Sequence, residues 1–187
     1  MLTSFIDAHE QRDVMTAAVP NAFAQVELPK GTRNDKENKN NEDGNERVMM
    51  KITGVLVDML VQLNPNLYSK YVVYNNGKKT LYVWVLRALY GMLTSSLVWY
   101  KKFRKDLENY GFEFNPYDPC VASMIMKGQQ HTIRFHVDDI MSSHRDKNVN
   151  TEFGRWLNEK YGKHKPVEPV RGKRHDFLAR NTDFTQT

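Results

Sequence analysis

The sequence has a single cysteine, Cys120, in 187 residues. One thiol excludes an internal disulfide and gives no metal-binding cysteine spacing. It fits a reducing, intracellular setting. No apolar run approaches the ~18 residues that a membrane-spanning helix needs, so no membrane partner is expected. Residues 1–13 lack a basic stretch followed by a long apolar core, so no signal peptide is expected. The expected location is the cytoplasm, free or in a particle. No internal repeat is present. Charge of one sign is not in large excess: 27 Lys+Arg against 22 Asp+Glu gives a net charge of +5. That favours polyanion partners without requiring one. The positive charge is local, concentrated in "YKKFRKDL" and "RGKRHDFLAR".

What is present suits a globular protein. A 40 % hydrophobic and 11 % aromatic chain of this length can bury one core, so one domain over 1–187 is expected. Residues 4–19 read as the start of a helix, with Phe5, Ile6 and Val14 on one face and Glu10, Gln11, Arg12 and Asp13 exposed. Val14 to Val19 then suits a buried strand that Pro20 and Asn21 turn. Residues 30–47 are polar and read as a long surface loop or a disordered insert. Residues 48–63 read as a strand running into a helix, stopped at Asn64-Pro65-Asn66. "YVVYNNGKKTLYVWVL" is a hairpin around Asn75-Asn76-Gly77-Lys78.

Residues 94–110 give the clearest helix, capped by Thr94, Ser95 or Ser96 and closed by Gly111. Leu97, Tyr100, Phe103 or Arg104, Leu107 and Tyr110 form its expected apolar stripe. Lys101, Lys102, Arg104 and Lys105 lie on or beside its other face, either simply solvated or in contact with phosphate. Residues 149–161 give a second amphipathic helix, and "HDFLA" a short strand. Helices and strands without regular alternation predict an α+β fold with an antiparallel sheet.

One stretch bears directly on chemistry. In "TIRFHVDDIMSSH", Ile133, Phe135 and Val137 alternate with Thr132, Arg134 and His136, the period of a half-buried strand. Upstream, residues 127–130 read as a turn between two strands. Asp138 and Asp139 therefore lie at a strand tip. They are either turn residues or half of a site for a hard cation, which takes one or two carboxylates plus phosphate oxygens.

The boxes Ala88-Leu89-Tyr90-Gly91, Trp99-Tyr100, Gly111-Phe112, Asp118-Pro119-Cys120 and His136-Val137-Asp138-Asp139 occur in that order. Together they resemble the reverse transcriptase of copia-type retrotransposons, over residues 5 to 180. The resemblance implies the palm of a right-hand polymerase with partial fingers. It implies template-directed DNA synthesis on an RNA or DNA template-primer with dNTPs, through two Mg2+ ions. It places catalytic roles at Asp138 and Asp139. Metal ligands fall at Asp138, Asp139 and Val19, and nucleotide contacts at Phe23, Asn21, Tyr90 and Gly91. Phe23 matches the residue that rejects a ribose 2′-hydroxyl, although ordinary core packing would also explain it. Tyr90 is otherwise read as a buried tyrosine with a bonded hydroxyl.

The chain also departs from the family pattern. The first-strand motif carries an aspartate where this chain reads "AVPNAF", so Ala18 occupies a metal-ligand position. Asp13, five residues earlier, is roughly 16 Å away along a strand. His136 stands where tyrosine is usual, and the residues after Gly91 lack the family's Lys-Gln-Ser-Pro-Arg. His136 is either a ligand or proton carrier, or a tolerated replacement. The chain matches a polyprotein fragment without most of the upstream fingers and without a thumb. Three readings follow: an impaired polymerase palm, a non-catalytic nucleic-acid-binding remnant, or a pseudogene product.

Overall fold

A computed structural model describes residues 2–28 and 48–185. In chain order the elements are α1 (Leu2–His9), β1 (Asp13–Ala18), a 3-10 turn (Ala22–Gln25), β2 (Met49–Thr53), α2 (Val55–Leu63), α3 (Pro65–Tyr68), β3 (Val73–Asn75), β4 (Lys78–Trp84), α4 (Ser95–Tyr110) and β5 (Glu113–Phe114). There follow β6 (Val121–Met126), β7 (Gln129–His136), β8 (Asp139–His144), α5 (Lys147–Tyr161), β9 (Val170–Arg171), β10 (Arg174–Phe177) and β11 (Arg180–Asp183). The fold is mixed helix and strand, and its sheets are antiparallel. The chain divides into two compact units, Met1–Val26 with Tyr90–Thr187, and Glu27–Leu89. The expected loop over 30–47 lies outside the described residues. Among the described residues no helix is long and apolar enough to cross a membrane.

The larger unit is built on a six-stranded sheet, β5-β6-β7-β8-β1-β9. Alternation decides its two faces. On one face lie Met15, Ile133, Phe135 and Ile140, all buried. Phe103 of α4 meets Phe135 at 5.0 Å between ring centroids, and Trp99 stacks on Phe103 at 5.4 Å. Trp99 also meets Tyr161 of α5 edge-on at 5.4 Å. Gly154 lets α5 approach β1, since a Cβ there would stand 3.2 Å from the Met15 sulfur and from Pro169. The inward stripe of α4 is Ser95, Trp99, Phe103 and Leu107. This corrects the expected one: Leu97 is 52 % exposed, because the helix docks through strict i, i+4 steps from Trp99. Thr94 takes the cap position without a side-chain bond, and Gly111 ends the helix at φ 116°. Two of its cations are paired within the helix, Lys102 with Asp106 at 2.7 Å and Arg104 with Glu108 at 2.8 Å.

The other face of the sheet carries α1, which docks inside out. Phe5, expected on the inward face, is 70 % exposed, and Asp7 is 1 % exposed. Arg134 of β7 bonds Thr3, Ser4 and Asp7, the last at 2.9 Å. Arg12, expected in solvent, has a side chain only 5 % exposed that donates to Glu10 and Thr132. The short strand expected at "HDFLA" is half of a hairpin, β10 with β11. Thr16 reaches the buried His175 of that hairpin at 3.1 Å.

The smaller unit has a three-stranded sheet, β2-β4-β3, with α2 on it. Asn76 and Gly77 turn β3 into β4 with φ 50° and 74°, the two left-handed residues of a I′ hairpin. Asn64 does not simply stop α2; its side chain accepts from the Leu67 amide and starts α3.

Candidate functional site

The register of the large sheet brings its first strand and the aspartate pair together. Ala18 of β1 is the cross-strand partner of Asp139, and His136 of β7 partners Asp139 from the other side. Such partners share a face with Cβ atoms ~5 Å apart. Ala18, Asp139 and His136 therefore form one row at the end of the sheet. Ala18 and His136 are exposed and Asp139 is half-buried.

Asp138 sits in the two-residue turn between β7 and β8. Its neighbour Val137 has φ 54°, a region in which a β-branched residue is strained. Two hydrogen bonds hold the turn there. The Trp99 indole N–H donates to the Val137 carbonyl at 2.6 Å, and the Val19 amide donates to the Asp138 carbonyl at 2.9 Å. α4 thus pins one side of the turn and the end of β1 pins the other. The role of Trp99 and the strain at Val137 were not expected. The available signal was the tryptophan itself, whose N–H needs a partner when buried. Replacing Val137 with glycine should relieve the turn and raise stability by about 1 kcal/mol. Urea unfolding checks this, and a lower midpoint would show that the valine side chain matters more than the backbone.

The electrostatics are those of crowded carboxylates. Burial raises the Asp139 pKa and the Asp138 charge raises it further, while His136 pulls it back. Burial also raises the Tyr90 phenol, and the Asp138 charge adds to that, so Tyr90 lies within electrostatic reach of the pair. Phe23, on the 3-10 turn, is buried with its ring 4.5 Å from that of Tyr90. Tyr90 itself is 61 % exposed, not buried. Asn21 and Gly91 both have positive φ, 51° and 92°, and shape the turns that carry Phe23 and Tyr90. Gln25 ties the 3-10 turn down by donating to the carbonyls of Pro20 and Tyr161. Asp118 of the Asp-Pro-Cys box accepts from the Cys120 amide at 2.9 Å, and the Cys120 carbonyl accepts from Phe135 at 3.0 Å. That box therefore shapes the entry to the β6–β7 hairpin.

The donor set for a cation is small. Val19 is fully buried and its side chain has no ligating atom, so only its main-chain carbonyl can contribute. Asp13 lies at the far end of β1, bound to Arg171 at 2.6 Å and to Asn150 at 2.7 Å. It does not reach the turn. Among the described residues, no group of three or more His, Cys, Asp or Glu side chains is placed to hold a metal ion. Two adjacent carboxylates beside an open methyl suit a single hard cation whose remaining positions go to phosphate oxygens and water. Comparisons with family models, curated proteins and solved structures return no match.

Proposed function

We propose that the larger unit is a reverse-transcriptase-like palm of the copia-type retrotransposon kind, part of a polyprotein, with one of its three metal-binding carboxylates missing. The supporting observation is the pairing of Ala18 with Asp139 beside a hairpin turn that carries Asp138. A carboxylate at position 18 would complete a three-carboxylate set with Asp139 of that row and Asp138 of the turn, and a methyl group cannot. The helix-backed antiparallel sheet with an acidic hairpin turn is consistent with such a palm.

Magnesium, when bound, supplies positive charge against a triphosphate. Asp138 and Asp139 would hold one ion, while the two-ion arrangement does not fit this donor set. Phe23 and Tyr90 would pack beside the sugar and base of a nucleotide, with Asn21 and Gly91 shaping their turns. The expected behaviour is template-primer binding with nucleotide incorporation impaired or absent.

Fluorescence anisotropy with a labelled RNA–DNA primer-template tests the binding half. Affinity should fall steeply with salt, because phosphate contacts release counterions, and should survive chelation of divalent ions. Failure to bind at low salt would remove the nucleic-acid reading. Magnesium-dependent extension by the unmodified chain, abolished by Asp138→Ala, would show a complete catalyst and overturn the assigned defect.

A further inference from the structure

Helix α2 is apolar over most of its circumference, with one polar strip at Asp58 and Gln62. Of "VLVDMLVQL" only Asp58 and Gln62 are polar. At about 100° per residue, Val57, Leu60 and Val61 fall on one side, and Val55, Leu56, Met59 and Leu63 on the opposite side. The first side is accounted for. Val57 is fully buried, and Asp58 pairs with Lys79 of β4 at 2.5 Å, which holds α2 on the sheet.

The second side is bare among the described residues. Val55, Leu56, Met59 and Leu63 are 73, 61, 58 and 80 % exposed. Tyr74 is the cross-strand partner of Lys79 on the same sheet face, and it adds a ring that is 72 % exposed beside the helix. A wide apolar helix face is normally covered.

We infer that this face is the contact between two copies of the chain, α2 against α2 about a two-fold axis passing close to Met59. A two-fold contact requires a patch that complements itself. Val55, Met59 and Leu63 form an i, i+4 ridge, and two identical ridges of this kind interdigitate at a crossing angle of about −50°. The stripe carries no charge, so it does not repel its own copy. It also lacks the Lys or Arg that a nucleic acid would require. Covering these side chains and Tyr74 removes on the order of 500 Å2 per copy, or about 1,000 Å2 for the pair, the lower bound of a specific interface. The inference is independent of the polymerase reading.

Sedimentation velocity of the full chain over ~1–100 µM tests it. A concentration-dependent shift from 21.9 kDa to twice that mass is expected. Met59→Asp, a change at an exposed position, should weaken association at least about tenfold. Met59→Cys in a Cys120→Ser background should form a symmetric disulfide, two thiols giving up two protons and two electrons to added oxidised glutathione. Lys51→Cys, on the opposite face of the β2-β4-β3 sheet, should not. A monomer across the whole range, a dimer indifferent to Met59→Asp, or equal cross-linking at 51 and 59 would each overturn the inference.

Discussion

Replacing Arg134 with alanine should destabilise the protein by about 3–5 kcal/mol, the cost of leaving a buried charge without its partner. The guanidinium is 12 % exposed and lies 2.9 Å from an Asp7 carboxylate that is 1 % exposed. It also holds the hydroxyls of Thr3 and Ser4. Without it, among the described residues Asp7 keeps only Arg12, at 3.9 Å, as a cationic partner. Burial already raises the Asp7 pKa, against the Ser143 hydroxyl and the Arg134 and Arg12 charges that lower it. Loss of Arg134 should raise it further. A carboxyl with a raised folded pKa adds stability as pH falls through that pKa, so Arg134→Ala should recover part of its loss in mild acid. The double variant Asp7→Leu with Arg134→Met should regain most of the stability, because an apolar pair has no charge to strand. Urea unfolding of the single and double variants measures both effects. A single-variant loss below ~1 kcal/mol would show that α1 does not depend on this ion pair.

The second large effect is on pH. His131 is fully buried and its ring packs against Phe112 at 5.0 Å and Phe153 at 5.4 Å. The Ser142 hydroxyl donates to Asn150, whose amide is committed to Asp13. Ser142 must therefore accept from His131 Nε2, 2.7 Å away. That leaves His131 Nδ1 bare, with no hydrogen-bond partner. Burial, then the nearby His144 and Arg12, lower the His131 pKa from 6.5 to about 3. The folded state thus resists a proton that the unfolded chain takes up below pH 6.5. The contribution of His131 is full above pH 6.5 and is lost as pH falls toward 3, at about 1.4 kcal/mol per unit. Roughly 2 kcal/mol should be gone at pH 5. His131→Phe should flatten this slope, as measured by urea midpoints from pH 8 to pH 5. An unchanged slope would assign the acid lability to other groups.

The parts of this fold legible in the sequence are those set by local pattern. β7 shows through alternation, and the aspartates fall at its tip because Asp favours turns. The Asn76-Gly77 hairpin declares itself through residues that accept left-handed backbone. Helix α4 is also legible, but its inward side is not. Leu97 and Tyr100 compete with Trp99 for the stripe, and the choice depends on what the sheet offers. The inverted docking of α1 is hidden for a different reason. Periodicity assigns Phe5 inward, while a guanidinium 127 residues from Asp7 draws that carboxylate inward instead. The division into two units is likewise invisible, since no linker composition marks either boundary. At the site, local pattern supplies Asp138 and Asp139 as a turn. The neighbourhood of Ala18, Phe23 and Tyr90 arises from sheet register and ring packing between distant segments, which no local period encodes.

Primer extension on a poly-rA template, with magnesium or manganese, is the most direct test of the central claim. The comparison is between the chain as it stands and Ala18→Asp. The missing carboxylate predicts extension only by Ala18→Asp, and loss of that gain when Asp138→Ala is added. Equal extension by the unmodified chain would contradict it, because some other group would then supply the third ligand.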